Sequence, residues 1–384
     1  MKFTAVWFPA LKFPNIKTTK IELSVQNGPI TDQAAPVRPG EEIDIRSLTD
    51  WLKGTSLQLQ GLPTVTQYSG GVSNWTYCLS YENRDVILRR GPEGRKAKGA
   101  HDMGREYRLQ KAIKPVYRYV PEMLAYCDDK DVIGAEFYIM EKINGVIARR
   151  NFPKSVSPDP QTAQTLCHNL LDALVELHQV DYKAAGLEHL AKGTGYIRRQ
   201  IEGWNKRYVR AKTWNVPSAK FIRQWLASNI PAQETICLTH NDFRFDNAVL
   251  DPDDLTNIIG ILDWELATLG DPHMDLGNML AYWVNRDDGF FGQAIRRQPT
   301  HLEGMLTRQQ VIDYYCKKRN IEVEDFTFYE VYGLFRLSVI AQQIYYRYHH
   351  KQTRNPAYKH FWLFVHYMHK RCKQAIRNQG KTET

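Results

Sequence analysis

"LTHNDFRFDNAVLD", residues 238–251, sets one His, three Asp and two Asn between apolar residues. Asp and Asn bond nearby backbone and compete with regular pairing, so this cluster, flanked by β-type residues, predicts a loop between two short strands. Such a loop can aim several oxygen ligands at one point. A second acidic turn follows at "ILDWE" (261–265), closing another short apolar run.

Upstream, the chain changes character near residue 145. "TVTQYSGGVSNWTYCLSYENRDVILRR" (64–90) reads as strand, glycine-rich turn, strand, turn at Glu82 to Asp85, and strand. A helix follows at "AHDMGREYRLQKAI" (100–113), then strands at "PEMLAYCDD" (121–129) and "EFYIMEKI" (136–143). An earlier helix, "DIRSLTDWLKGT" (44–55), stops at Gly54. Beyond Gly145 the pattern turns helical. Leu166, Leu170, Leu171, Leu174, Val175 and Leu177 give residues 160–180 a wide apolar face, and further helices are expected at 196–211 and 219–230. Strands return only at "AVLD" (248–251) and "IIGILDW" (258–264). The expected fold is α+β and bilobal: a small N-terminal antiparallel sheet lobe with one helix, and a larger, mostly helical C-terminal lobe. The boundaries read as a flexible extension at 1–42, an N-terminal sheet lobe at 43–142 and a helical C-terminal lobe at 143–384. Residues 1–30 have no patterned partner elsewhere, which raises a biological start near Thr31 as a hypothesis; native peptides from upstream of Gly28 would refute it.

Composition narrows the function classes. At 384 residues with 43% hydrophobic and 24% charged content, the chain is long enough for two lobes and ordinary enough to fold. No apolar run approaches the ~20 residues of a membrane span, and "FTAVWFPALKFP" (3–14) is broken by Pro9, Lys12 and Pro14. The location expected is cytoplasmic. Six scattered cysteines (78, 127, 167, 237, 316, 372), with no C-x-x-C pair, read as reduced thiols rather than disulfides or a zinc site. The formal charge is +9, concentrated at 88–114 and again in Arg347, Lys351, Arg354, Lys359, Lys370, Arg371, Lys373 and Arg377. Without an aromatic–basic motif or recognition helix this does not read as nucleic-acid binding, but it can attract phosphates.

His240, Asp242 and Asn247 are spaced like the H-x-D-x-x-x-x-N loop of protein kinases, with Asp263 where the second metal-binding Asp follows. The fuller resemblance is to the aminoglycoside phosphotransferase family: the loop, then "LDWE" (262–265), then "GDPHMDL" (270–276). "GGVSNWTY" (70–77), "VILRRGP" (86–92) and "AHDMGREYR" (100–108) look most like the branch found as the N-terminal part of some acyl-CoA dehydrogenase family members. The resemblance covers roughly 60–355 and implies an ATP- and Mg²⁺-dependent kinase acting on a small-molecule hydroxyl. Hydroxy acids or their CoA esters are the acceptors implied, with a functional link to an acyl-CoA dehydrogenase.

The residue roles follow from that reading. Asp242 is the expected catalytic carboxylate, and Asn247 with Asp263 the Mg²⁺ ligands, since Mg²⁺ prefers hard oxygen donors. Gly70, Gly71, Ser73 and Asn74 form the expected nucleotide loop. Arg89 stands where kinases carry a phosphate-binding lysine, with Glu106 as its helix partner; Arg90 competes for the contact. Met140, Glu141 and Ile143 would line the adenine end, while His240 and Asp275 support the loop. Arg244, Glu265, Arg336, Tyr346 and Arg347 are substrate-side candidates, and His349 and His350 read as solvated. An antibiotic O-phosphotransferase, or a catalytically weak nucleotide-binding regulator of the same fold, is the alternative.

Overall fold

The computed structural model describes residues 34–68, 74–91 and 102–379. Five antiparallel strands, β1 (Thr64–Gln67), β2 (Trp75–Ser80), β3 (Asp85–Arg90), β4 (Met123–Cys127) and β5 (Phe137–Glu141), form a sheet in the order β1-β2-β3-β5-β4. The period of two along each strand sorts its side chains. Tyr77, Leu79, Val86, Leu88, Phe137 and Ile139 face Leu48 and Leu52 of helix α1 (Ile45–Lys53). Cys78, Ile87, Tyr138 and Met140 face Met103 of helix α2 (Met103–Ile113). The sheet thus carries a helix on each face. Asp44 and Asp102 cap the two helices through their carboxylates, and α1 ends at Gly54 with an ordinary right-handed φ of −78°.

Residues 35–41, read from sequence as part of a separable extension, are bonded to this sheet. Ala35 pairs with Gln67, Gln67 Nε2 donates to Glu41 at 2.6 Å, and the Tyr77 hydroxyl donates to the Glu41 carbonyl at 2.6 Å.

The second lobe is built on α3 (Pro160–Gln179), α4 (Tyr196–Ala211), α5 (Lys220–Ser228), α6 (Pro272–Ala281), α7 (Phe290–Ile295), α8 (Arg308–Arg319), α9 (Thr327–His349) and α10 (Phe361–Asn378). The apolar face of α3 is fully buried, including Leu166, Leu170, Leu171 and Leu174. Two small antiparallel pairs sit among the helices: β6 (Cys237–Thr239) with β9 (Thr268–Gly270), and β7 (Ala248–Leu250) with β8 (Ile258–Ile261). The β7–β8 pair matches the two short strands read from sequence. β6 is the strand expected before the loop, and its partner β9, three residues long, is too short for an alternating pattern to show. One core runs through this lobe and reaches up to Leu109, Ile113 and Tyr117, so the end of α2 is embedded in it. Among the described residues no helix is long and apolar enough to cross a membrane.

Candidate active site

The quoted stretch leaves β6 at Thr239 and enters β7 at Ala248, and its shape is set from behind by Asp275 of α6. Asp275 is fully buried and accepts from the backbone N–H groups of His240 (2.7 Å) and Asn241 (2.8 Å). These bonds hold Asn241 in the left-handed region at φ 65°, which Asn tolerates better than most residues. Burial raises the Asp275 carboxyl, but the bond from His178 and the charges around it bring it below its ordinary value. His178 is held neutral by burial; it accepts from the Tyr315 hydroxyl at 2.7 Å and donates to Asp275 at 3.2 Å.

His240 is buried and its pKa is lowered, chiefly by desolvation. Its Nε2–H donates to the Leu262 carbonyl at 3.1 Å, while Nδ1 accepts from the Asp242 backbone N–H at 3.3 Å. The ring therefore joins the two loops and is spent on structure. On the far side, Arg336 of α9 is 5% exposed, donates to the Asn241 carbonyl at 3.0 Å and lies over the Trp204 ring. The sequence placed Arg336 at the acceptor side; here it is buried and spends a donor on the loop backbone. Tyr346 and Arg347 lie ten and eleven residues further along α9, about 15 Å and 16 Å from Arg336 along the axis. Tyr346 packs tilted against His350 and Arg347 is exposed; at that distance along the helix neither joins the contacts around Asp242.

Asp242 itself is fixed by two donors. Asn247 Nδ2 reaches its carbonyl at 2.8 Å and Oδ2 at 3.1 Å, and Arg244 reaches Oδ2 at 3.0 Å. Arg244 also pairs with Asp246 at 3.3 Å and lies 4.3 Å over the Tyr282 ring. With the amide nitrogen of Asn247 turned to Asp242, its carbonyl oxygen points away. The Leu262 N–H donates to the Asn247 carbonyl at 2.8 Å, continuing the β7–β8 ladder and setting Asp263 one residue beyond. Asp263 adopts φ 67°, and its Oδ1 accepts from Arg89 at 3.1 Å while Oδ2 has no protein partner among the described residues. Two hard oxygens, one amide and one carboxylate, thus stand on adjacent strand ends. Among the described residues no three His, Cys, Asp or Glu side chains form a metal cage. A cation held here would complete its shell with water or phosphate oxygens, which is the habit of Mg²⁺.

From the sheet lobe, Arg89 of β3 enters the cleft and Arg90 turns to the other face, where it donates to Ile133 and lies over Trp75. That settles which arginine faces the loop. Burial opposes the Arg89 charge, but Tyr138, Asp263 and Glu106 keep it firmly on. Its direct ion pair is with Asp263. Glu106, the partner expected from sequence, is held by Tyr138 (3.0 Å) and Asn74 (3.1 Å) and attracts Arg89 through its charge. Asn74 also donates to Glu265 at 3.1 Å. Burial, then the neighbouring Asp263 carboxylate, pushes Glu265 up to about 7.

Met140 is buried in β5, Glu141 accepts from the Glu122 N–H at 3.1 Å, and Ile143 lies against Gly260, so these three sit at the lobe junction. Gly70, Gly71 and Ser73 lie outside the described residues. Sequence reasoning missed Arg105, which donates from α2 to the carbonyls of Glu265 and Ala267, and Tyr138, Tyr282 and His178. An arginine one position before the flagged Glu106 was the one available signal; the aromatic residues are ordinary core types in the sequence.

A model of the phosphotransferase enzyme family (APH) matches residues 64–308. Rat acyl-CoA dehydrogenase family member 11 is 34% identical over 327 residues, 83% of this chain and 41% of that protein. Mouse acyl-CoA dehydrogenase family member 10 is 32% identical over 315 residues, 81% of this chain and 29% of that protein. The chain spans about two fifths or less of the length of these relatives. A solved structure from Ralstonia eutropha, provisionally named an aminoglycoside phosphotransferase, superposes with a TM-score of 0.76 at 26% identity, covering 88% of this chain and 100% of that one.

Proposed function

The chain belongs to the phosphotransferase enzyme family, and from that premise we propose that it transfers the γ-phosphoryl group of ATP, with Mg²⁺, to a hydroxyl of an anionic small molecule. The observation that carries this is the Asn247–Asp242 contact beside Asp263: one loop presents a fixed carboxylate next to two hard oxygen donors. The carboxylate of Asp242 orients the acceptor hydroxyl and takes its proton as the oxygen bonds to the γ-phosphorus. The bond from that phosphorus to the bridging oxygen breaks, and ADP leaves with the electron pair. Asn247 Oδ1 and Asp263 Oδ2 would hold Mg²⁺, whose chemistry there is to bridge and neutralise phosphate oxygens. Arg89, held beside Asp263, would meet a phosphate there, and its paired donors suit that partner. Gly70, Gly71, Ser73 and Asn74 would approach the phosphates, with Met140, Glu141 and Ile143 at the base.

A hydroxy acid or a hydroxyacyl-CoA is the acceptor we favour. The net charge of +9 opposes capture of polycationic aminoglycosides. Relatives named for acyl-CoA chemistry favour a thioester-linked acceptor and a functional link to an acyl-CoA dehydrogenase. Mass spectrometry of a panel of hydroxy acids, their CoA esters and aminoglycosides, incubated with ATP and Mg²⁺, tests this choice. A phosphate ester on an acid or CoA ester is expected; phosphorylation of an aminoglycoside alone would overturn the acceptor class.

A further inference from the structure

The second basic cluster singled out in the sequence is not used by the cleft. On α10, His366, Lys370, Lys373 and Arg377 are spaced four, three and four residues apart, which stacks all four on one face of the helix. That face and Pro217, from the turn between α4 and α5, bound a cavity of about 350 Å³ also lined by His369 and Gln374. Among the described residues Lys370, Lys373 and Arg377 make no ion pair, whereas Arg371, off that face, meets Glu330 at 3.7 Å.

A row of lysines on a helix is ordinarily a solvated face. Here the row borders a half-open pocket, whose volume falls at the lower end of small-ligand sites of roughly 300–1,000 Å³. His369 backs it, 3% exposed, with Nε2 on the Ser338 hydroxyl at 3.3 Å and Nδ1 unpartnered among the described residues. Burial, then the charges of His366 and Lys373, pushes His369 down to about 4, so a neutral ring sits in a positive field. His366 is steadied by the Asn215 carbonyl at 2.9 Å, and the adjacent Trp214 is 85% exposed.

We propose that this pocket is an anion site for the phosphate groups of a small molecule, held by Lys370, Lys373 and Arg377. It is separate from the transfer loop. Ser338, which meets His369, stands about 200° round α9 from Arg336, which meets Asn241. A free phosphate compound and the nucleotide end of a thioester carrier share this chemistry, and two probes separate them.

Calorimetric titration of the full chain, without Mg²⁺, uses inorganic pyrophosphate and coenzyme A. It compares wild type, the doubly substituted Lys373→Glu, Arg377→Glu protein, and Arg89→Met as the cleft control. Saturable binding is expected, weakened at least about tenfold in the double variant, unchanged by Arg89→Met, and falling with salt. Pyrophosphate binding as well as coenzyme A identifies the free phosphate compound; coenzyme A alone identifies the nucleotide carrier. Lys373 and Arg377 are exposed, so loss of fold is not the expected cause of a change in the double variant; for Arg89→Met, whose side chain is mostly buried, an unchanged thermal midpoint is checked beside the titration. No saturation by either probe at millimolar concentration, or binding lost in Arg89→Met and kept in the double variant, would overturn the site. So would neither probe binding while phosphatidylserine vesicles are captured through the same residues, which would assign the face to a membrane surface.

Discussion

Arg244 stands between the Asp242 and Asp246 carboxylates with the Tyr282 ring beneath it, whereas the sequence marked it only as a substrate-side candidate. Spacing showed that it lay in the loop; only the fold shows which carboxylate it grips. Because it fixes Asp242 Oδ2, we expect Arg244→Ala to lower kcat about 10²-fold through misplacement of that carboxylate, with KM for ATP nearly unchanged. Steady-state kinetics check this: a raised KM with kcat intact would make Arg244 a ligand contact instead. That Asp242, Asn247 and Asp263 would stand together was legible because oxygen-rich turns at fixed spacing are rare. The bond of Arg336 to the loop backbone was not legible, because a cationic residue in an apolar helix pattern does not say which backbone it meets.

Among the elements, α6 carries Asp275 to the loop and α9 carries Arg336, so their mutual position sets the loop. They cross backbone to backbone: a Cβ on Gly333 would collide with the Gly277 carbonyl, and one on Gly277 with the Tyr329 carbonyl. Backbone cannot swing aside as a side chain can. Gly333→Ala should therefore cost at least about 2 kcal/mol in urea unfolding and reduce turnover by shifting Asp275. An unchanged midpoint would show that the crossing is loose. The helices themselves were readable from apolar period and caps, as in α4, which spans the expected 196–211. Their crossing was not, because a glycine in a helical pattern carries no sign of its partner.

Across the whole molecule, the two lobes meet through Arg89 on Asp263, Asn74 on Glu265, and Arg105 on the carbonyls after Asp263. The bilobal plan was visible in the change from period two to helical period near residue 145, but these cross-lobe bonds join residues up to 191 positions apart. Buried histidines give the fold its acid sensitivity. His369, ordinarily near 6.5, is pushed down to about 4 by burial, and His178 and His240 are lowered as well. The unfolded chain then binds more protons between those values, so stability is full above about pH 6.5 and falls as pH drops toward 4. Asp271, raised to about 6 by burial, and Glu265, raised to about 7, act in the opposite sense over part of that range, so the histidine loss is read as the difference between wild type and His369→Gln. Thermal unfolding from pH 7 to pH 4 should show the loss, and His369→Gln should remove up to about 3 kcal/mol of it.

The central claim is phosphoryl transfer at Asp242, and coupled ADP release with ATP, Mg²⁺ and the acceptor panel, run beside Asp242→Ala, tests it most directly. The account predicts acceptor-dependent ADP release that falls by about 10²–10⁴-fold in the variant while Mg²⁺-ATP still binds. Equal release by both proteins, or no release with any acceptor despite bound nucleotide, would contradict it.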